Sequence, residues 1–304
     1  MGFVIDRNDV EVAARRIQGL IRHTPVIEVE LLGTTLLLKL ELLQHTGSFK
    51  PRGAVNRILS SEVPDVGVIA ASGGNAGLGV AYAARAVGAP AEIFVPESTP
   101  AVKITRLHEL GANVRVTGAF YSDAAAACAV RAEESGALLV HAFDQPEIVA
   151  GNGTVGLELA AYGPDTVLVA VGGGGLAGGI AAALEGHAKV VAVEPADSQA
   201  LHAALATDRP VDVSVGGIAA DSLGARRAGE IGYAVAVRTG MESVLVPDEA
   251  ITTARTLLWE ELRVVAEPGG AAALAALVYG AYKPAPGERV AVVICGGNAD
   301  PSSL

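Results

Sequence analysis

Residues 167–184 read Val-Leu-Val-Ala-Val-Gly-Gly-Gly-Gly-Leu-Ala-Gly-Gly-Ile-Ala-Ala-Ala-Leu. The run carries no charge and is long enough to cross a bilayer as one helix. The consecutive glycines Gly172 to Gly175 argue against that, because each costs a helix interior close to 1 kcal/mol and together they would unravel it. The run divides better into a strand (Thr166–Val171), a glycine turn and a helix (Leu176–Leu184). Read so, it is one unit of an α/β fold, and its neighbours continue the pattern.

Val66–Ala71 is a short apolar run ending in Ser-Gly-Gly, and Asn75–Val87 is an Ala-rich helix stopped by Gly88. Ala91–Val95 is a strand ended by Pro96, and Lys103–Leu110 a helix stopped by Gly111. Asn113–Val116 with Ser122–Ser135 repeats the unit, as does Lys189–Glu194 with a helix from about Ser198. Such alternation implies mainly parallel sheets covered by helices. Further on, Asp248 is suited to cap a helix over Glu249–Leu262. A second helix from about Gly270 to Tyr279 and a strand at Arg289–Ile294 close the chain.

The chain has 304 residues, 51% of them hydrophobic and 18% charged, with a net charge of -11. That is enough apolar material for a full core and too little charge for disorder. The acidic balance speaks against nucleic-acid or anionic-membrane partners. Cys128 and Cys295 make no disulfide framework, which suits a reducing compartment. The charged segment Met1–Gln18 has no apolar core of a secretory leader, and Asp6 stands where a Met-Gly myristoylation site wants Ser or Thr. The expectation is a cytoplasmic protein.

Several glycine turns carry possible chemistry. In Gly172-Gly173-Gly174-Gly175-Leu176 backbone amides converge with no side chains in the way, and a helix N-terminus follows, which suits a phosphate monoester. A merely flexible loop or a degenerate dinucleotide fingerprint reads the same stretch, but the acid expected at a strand end is poorly matched by Glu194, which Pro195 follows. Ser72-Gly73-Gly74-Asn75-Ala76-Gly77 is a second turn, able to hold a carboxylate or simply to cap a helix. Cys295-Gly296-Gly297-Asn298 follows the last strand, at the sheet end where ligands bind in open α/β folds; a buried structural thiol is the alternative. His45-Thr46-Gly47-Ser48-Phe49-Lys50-Pro51-Arg52-Gly53-Ala54 sets one lysine just before a helix. An amine desolvated there is easier to deprotonate and to use as a nucleophile, although many such lysines are ordinary surface charges. The histidines form no metal-ligand spacing.

Taken in order, the Ser-Phe-Lys turn, the Ser-Gly-Gly-Asn-Ala-Gly turn, the tetraglycine loop, Glu267-Pro268 with its Ala-rich helix and the Cys-Gly-Gly end resemble the fold-type II pyridoxal-phosphate enzymes, most closely the serine/threonine dehydratases. The resemblance implies a tryptophan synthase β-like architecture with two open, mainly parallel sheets. It places a large cofactor domain over residues 1–50 and 143–304 and a small α/β domain over 51–142. Lys50 would be the Schiff-base lysine, Phe49 and Ala220 would face the two sides of the pyridine ring, and Asn75 would bond its phenolic oxygen. Gly172, Gly173, Gly174, Gly175 and Leu176 would hold the phosphate, and Cys295 would meet the ring nitrogen. A thiol there leaves that nitrogen unprotonated and the ring a moderate electron sink, suited to elimination.

Ser72, Gly73, Gly74 and Asn75 would hold the substrate carboxylate. The implied reaction is loss of the Cα proton to Lys50, departure of the β-hydroxyl protonated by the cofactor's phosphate, and hydrolysis to a 2-oxo acid and ammonia. L-Serine or L-threonine is the expected substrate. Another β-hydroxy amino acid such as 3-hydroxyaspartate, racemisation, or a non-catalytic phosphate-ligand-binding module are the rival readings. Gly73 stands where the racemases of this family carry a second serine, which disfavours racemisation. Glu194 with the carbonyls of Ser198, Leu223 and Ala225 resembles a cation site, better matched to potassium than to magnesium because Ala200 replaces a further carboxylate. A homodimer is implied, and the short run after Cys295 implies no C-terminal regulatory domain.

Overall fold

The computed structural model describes residues 5–303, so the Met1-Gly2 opening lies outside the described residues. The chain begins with α1 (Arg7–Ile17), β1 (Val26–Leu31), β2 (Thr34–Lys39) and α2 (Pro51–Leu59). It continues through β3 (Val68–Ala71), α3 (Asn75–Val87), β4 (Ala91–Val95), α4 (Ala101–Glu109), β5 (Asn113–Val116), α5 (Tyr121–Ser135) and β6 (Leu138–Leu139). Then come α6 (Pro146–Ala160), β7 (Thr166–Ala170), α7 (Gly175–Leu184), β8 (Lys189–Pro195), α8 (Ala200–Ala206), α9 (Ala220–Leu223) and α10 (Glu230–Thr239). The last elements are β9 (Glu242–Val246), α11 (Asp248–Leu262), α12 (Pro268–Tyr279) and β10 (Val290–Val293).

Two sheets result. A six-stranded sheet runs β1-β2-β10-β7-β8-β9, and a four-stranded sheet runs β5-β4-β3-β6. Every pairing is parallel except β1 with β2. Strands covered by helices on both faces must be apolar throughout, and β7 and β10 are buried at every residue. The core of the smaller sheet also takes in Ile17 from α1 and Ile148 from α6, so the two layers share packing.

Several elements go beyond the expected alternation. The β1–β2 hairpin turns on Leu32 (φ 55°) and Gly33 (φ 72°), both left-handed, without the Asn-Gly or Asp-Gly pair that signals such a turn. Helix α6 carries Gly151, Gly153 and Gly156 in its interior, a composition that argues against a helix until its neighbours are seen. Elements α10 and β9 fall in a stretch of weak periodicity. Asp248 is not a cap, a correction to the expectation from sequence: Pro247 precedes the helix, Asp248 is its first residue, and its carboxylate accepts from the Ile218 amide at 2.9 Å.

Candidate active site

Strands β3, β7 and β10 all end on the same cleft, where parallel α/β sheets place their ligands. The segment before Lys50 is zipped along the end of β10. Phe49 N donates to Cys295 O (3.2 Å), Ser48 pairs with Gly296, and Gly297 N donates to Gly47 O (2.9 Å). Lys50 is thereby set beside Cys295 although 245 positions separate them in the chain (295 minus 50). Pro51 then opens α2, where its missing N–H costs nothing.

The Lys50 ammonium donates to the Ala142 carbonyl at 2.7 Å and stands 5.1 Å from the centre of the Phe49 ring. Part of the residue stays accessible, but its amine is enclosed. Burial brings its pKa down to about 8, against the opposing pull of Cys295 and Glu267. Cys295 is buried, and burial with the Glu267 charge pushes its thiol up to about 12, so it is neutral at any physiological pH. Glu267, which precedes Pro268 at the start of α12, is pushed up to about 7 by burial.

The tetraglycine loop lies where β7 passes into α7. A Cβ at Gly173 would lie 2.4 Å from the Phe143 ring, and one at Gly175 would lie 2.4 Å from the Phe143 carbonyl. Gly174 has φ 87°, so this turn requires glycine on both steric and conformational grounds. The amides of Gly172, Gly173 and Gly174 find no acceptor among the described residues, and the N-terminus of a ten-residue helix adds its dipole. Open amides that no side chain can cover suit a phosphate.

At the end of β3, Ser72 Oγ accepts from the Gly74 amide at 3.2 Å, shaping a turn that leads into the open first-turn amides of α3. Gly73 faces Thr99: a Cβ there would come within 2.8 Å of Thr99 Cγ2. Asn75 donates from Nδ2 to Glu267 Oε1 (2.6 Å) and accepts at Oδ1 from Asn298 Nδ2 (2.7 Å). An amide nitrogen has two protons, so one N–H of Asn75 remains for a ligand. Ala220 starts α9, and Gly172 lies against Leu223 of the same short helix.

The segment His141–Asp144, which sequence reasoning missed, joins these parts. Ala142 receives Lys50, and Phe143 packs under the tetraglycine loop. His141 Nδ1 accepts the amides of Phe143 (3.2 Å) and Asp144 (2.9 Å), which places its proton on Nε2. Asp144 in turn accepts from Glu230 and Ile231, capping α10. No sequence signal marks the segment, because the Lys50 contact is a backbone carbonyl and the partners of His141, Phe143 and Asp144 are backbone groups brought together only by the fold.

Glu194 is fully buried. Its oxygens accept from the amides of Leu201 (2.8 Å) and His202 (2.7 Å) and from Ser243 Oγ (3.0 Å), tying the first turn of α8 to β8. Burial pushes it up to about 7. Ser198 Oγ lies 3.3 Å from Gly216 O, and the Leu223 carbonyl accepts from the Ala225 amide. No group of three or more His, Cys, Asp or Glu suited to a metal occurs among the described residues.

A phosphate cradle, an enclosed low-pKa lysine and a neutral thiol at a strand end fit pyridoxal phosphate as a set. The family model for pyridoxal-phosphate dependent enzymes matches residues 17–296. The chain belongs to that family. It is 37% identical to the L-threonine ammonia-lyase of Thermotoga maritima, over 98% of this chain and 76% of that one. It is 38% identical to the L-threonine ammonia-lyase of Geobacter sulfurreducens, over 97% and 76%. Among solved structures it is similar to a threonine deaminase from T.th. (TM-score 0.91, 36% identity, 97% and 99% covered). It is also similar to maize serine racemase (TM-score 0.93, 30% identity, 99% and 96% covered). The pyridoxal-phosphate enzyme is thus an ammonia-lyase of the serine/threonine dehydratase type, with the expected fold. No helix among the described residues is long and apolar enough to cross a membrane, and residues 167–184 form β7, a turn and α7.

Proposed function

We propose that this enzyme converts L-threonine to 2-oxobutanoate and ammonia, with L-serine as a second substrate giving pyruvate. The observation that carries the reading is the single segment His141–Asp144, which receives the Lys50 amine on Ala142 and floors the tetraglycine loop with Phe143. Nucleophile and phosphate cradle are thereby held in one fixed relation. Pyridoxal phosphate, when bound, supplies an electron sink for negative charge at the substrate Cα.

In this reading Lys50 holds the cofactor and, once free, its amine takes the Cα proton; burial keeps a useful fraction of that amine neutral near pH 8. The amides of Gly172–Leu176 hold the phosphate, Phe49 and Ala220 flank the ring, and Asn75 uses its spare N–H on the phenolic oxygen. Cys295, kept neutral, withholds a proton from the ring nitrogen. The Ser72–Asn75 turn orients the substrate carboxylate. Racemisation needs a second base on the opposite face, and at that turn Gly73 has no side chain while Thr99 fills the space.

Residues 51–142 act as a small domain, and two chains associate in the cytoplasm. Potassium binds beside Glu194 through carbonyls of Ser198, Leu223 and Ala225, since a carbonyl oxygen keeps a second lone pair. An unchanged rate on replacing potassium by a bulky organic cation removes the ion from the reading.

The test is 2-oxo acid release from L-threonine and L-serine by protein supplied with pyridoxal phosphate. Release is expected from both, and Lys50→Ala should abolish it along with the yellow colour. Bound cofactor without release from either substrate moves the assignment to another β-hydroxy amino acid. Failure to bind cofactor overturns it.

A further inference from the structure

Asn75 is one link in a longer chain of hydrogen bonds that starts outside the site. On α4, in the layer of the smaller sheet, Arg106 Nη1 donates to Asn298 Oδ1 at 2.9 Å. Asn298 Nδ2 then donates to Asn75 Oδ1 and to Thr46 O, both at 2.7 Å. Asn75 Nδ2 donates to Glu267 Oε1 at 2.6 Å. Asn298 Oδ1 is the only acceptor that the Arg106 side chain has among the described residues.

The order of donors along this chain has a direction. A guanidinium has donors and no acceptor, so whatever amide meets it must turn its oxygen toward it. Asn298 therefore presents its oxygen to Arg106 and its nitrogen to Asn75. Asn75 presents its oxygen to Asn298, and its nitrogen is left facing Glu267 and the cleft. The Glu267 end cannot enforce this alone, because a carboxyl pushed up to about 7 is partly protonated near neutrality and then donates as well as accepts. Packing adds to the constraint: a Cβ at Gly47 would come within 2.6 Å of Asn298 Oδ1, so the turn before Lys50 leaves room for this amide only because residue 47 is glycine.

We infer that Arg106 is a positioning residue, which acts through Asn298 to hold the Asn75 amide with its N–H toward the cofactor's phenolic oxygen. The inference rests on the cofactor role proposed above for Asn75. It also means that docking of α4 across the cleft and orientation of Asn75 are one event. A second contact on the same face of α4, Lys103 with Asp221 at 2.5 Å, crosses the cleft with no hydrogen bond to the chain. It reaches the chain only through the charge each residue bears toward Glu267, so it serves as a comparison.

The experiment compares Arg106→Leu, Arg106→Lys, Lys103→Gln, Asn75→Ala and the Arg106→Leu/Asn75→Ala double variant. The readouts are pyridoxal-phosphate dissociation constant, cofactor absorption spectrum and thermal midpoint. Coupling transmitted through Asn298 and Asn75 predicts a dissociation constant raised by about two- to thirtyfold in Arg106→Leu, with an altered cofactor band and little change in midpoint. Lysine, also a donor without acceptor, should restore most of both, and Lys103→Gln, which breaks no hydrogen bond of the chain, should move both less than Arg106→Leu does. In the Asn75→Ala background the Arg106 change should add nothing. Additive effects, or a spectrum and affinity unmoved in Arg106→Leu while Asn75→Ala alters them, would overturn the inference and leave the site reading intact. An Asn75→Ala protein with unaltered spectrum and affinity overturns both.

Discussion

At the scale of single residues, the decisive property is the low basicity of Lys50. Burial lowers its pKa from 10.5 to about 8, so the unfolded chain binds this proton more tightly than the native one between those limits. Stability of the cofactor-free protein therefore carries a penalty that is full below about pH 8 and vanishes above 10.5. Lys50→Met should stabilise the cofactor-free protein by about 3 kcal/mol at pH 7, with the gain fading through that window. Denaturant melts of both proteins across pH check this; a gain that grows with pH would contradict it. The same titration predicts that capture of pyridoxal phosphate by the cofactor-free protein accelerates as pH rises, with a midpoint near 8, measurable by stopped-flow absorbance. The Gly-Ser frame set this lysine just before a helix, and the family resemblance of the whole chain singled it out. The burial that sets its basicity comes from Ala76, Val80, Val140 and Ile148, remote in sequence, against the opposing pull of Cys295.

At the scale of elements, glycine does opposite things in neighbouring places. In the loop after β7 it keeps amides bare. In α6 and α7 it lets two helices touch: a Cβ at Gly179 would lie 2.3 Å from the Val149 carbonyl and 2.6 Å from the Gly153 amide. Gly179→Ala should cost about 1–3 kcal/mol in denaturant unfolding, because backbone rather than a flexible side chain must move. It should also weaken cofactor binding, since α7 starts at the tetraglycine loop; a variant that melts and binds like the parent would show the helices can separate freely. Local propensity correctly placed α3, α5, β7 and β10. It missed α6 because its glycines answer to a partner helix, and it misread Asp248 because a distant amide, Ile218, claimed that carboxylate.

At the scale of the molecule, a buried charge cluster joins the first strands to the helices around the site. Arg52 forks onto Glu41 (2.8 Å) and Glu158 (2.7 Å), and Lys39 bonds Glu158 and the Thr24 carbonyl. Lys39, Glu41 and Arg52 are all within 1% of complete burial. Burial alone would depress Arg52, but Glu41 and Glu158 outweigh it and raise its pKa. Removing one partner strands the other charges in a dry interior, so Arg52→Met should lower the unfolding free energy by about 3–5 kcal/mol. A loss below about 1 kcal/mol, well short of that range, would mean that water reaches the cluster. Because Arg52 lies two positions after Lys50, cofactor affinity should fall as well.

The class of cofactor was implied by the family resemblance that the ordered motifs carry; the alternation of strands and helices, the lysine turn and the three glycine-rich strand ends were written in the residues themselves. Each rests on local rules: apolar runs with period, glycine where backbone must be bare, proline at a helix start. How these parts meet was settled in three dimensions. Residues 47–49 align with 295–297, the segment 141–144 ties Lys50 to the phosphate loop, and α4 reaches across to Asn298. Those contacts join backbone groups and side chains whose partners lie far away in the chain, so they depend on where the chain goes in space and no local pattern announces them.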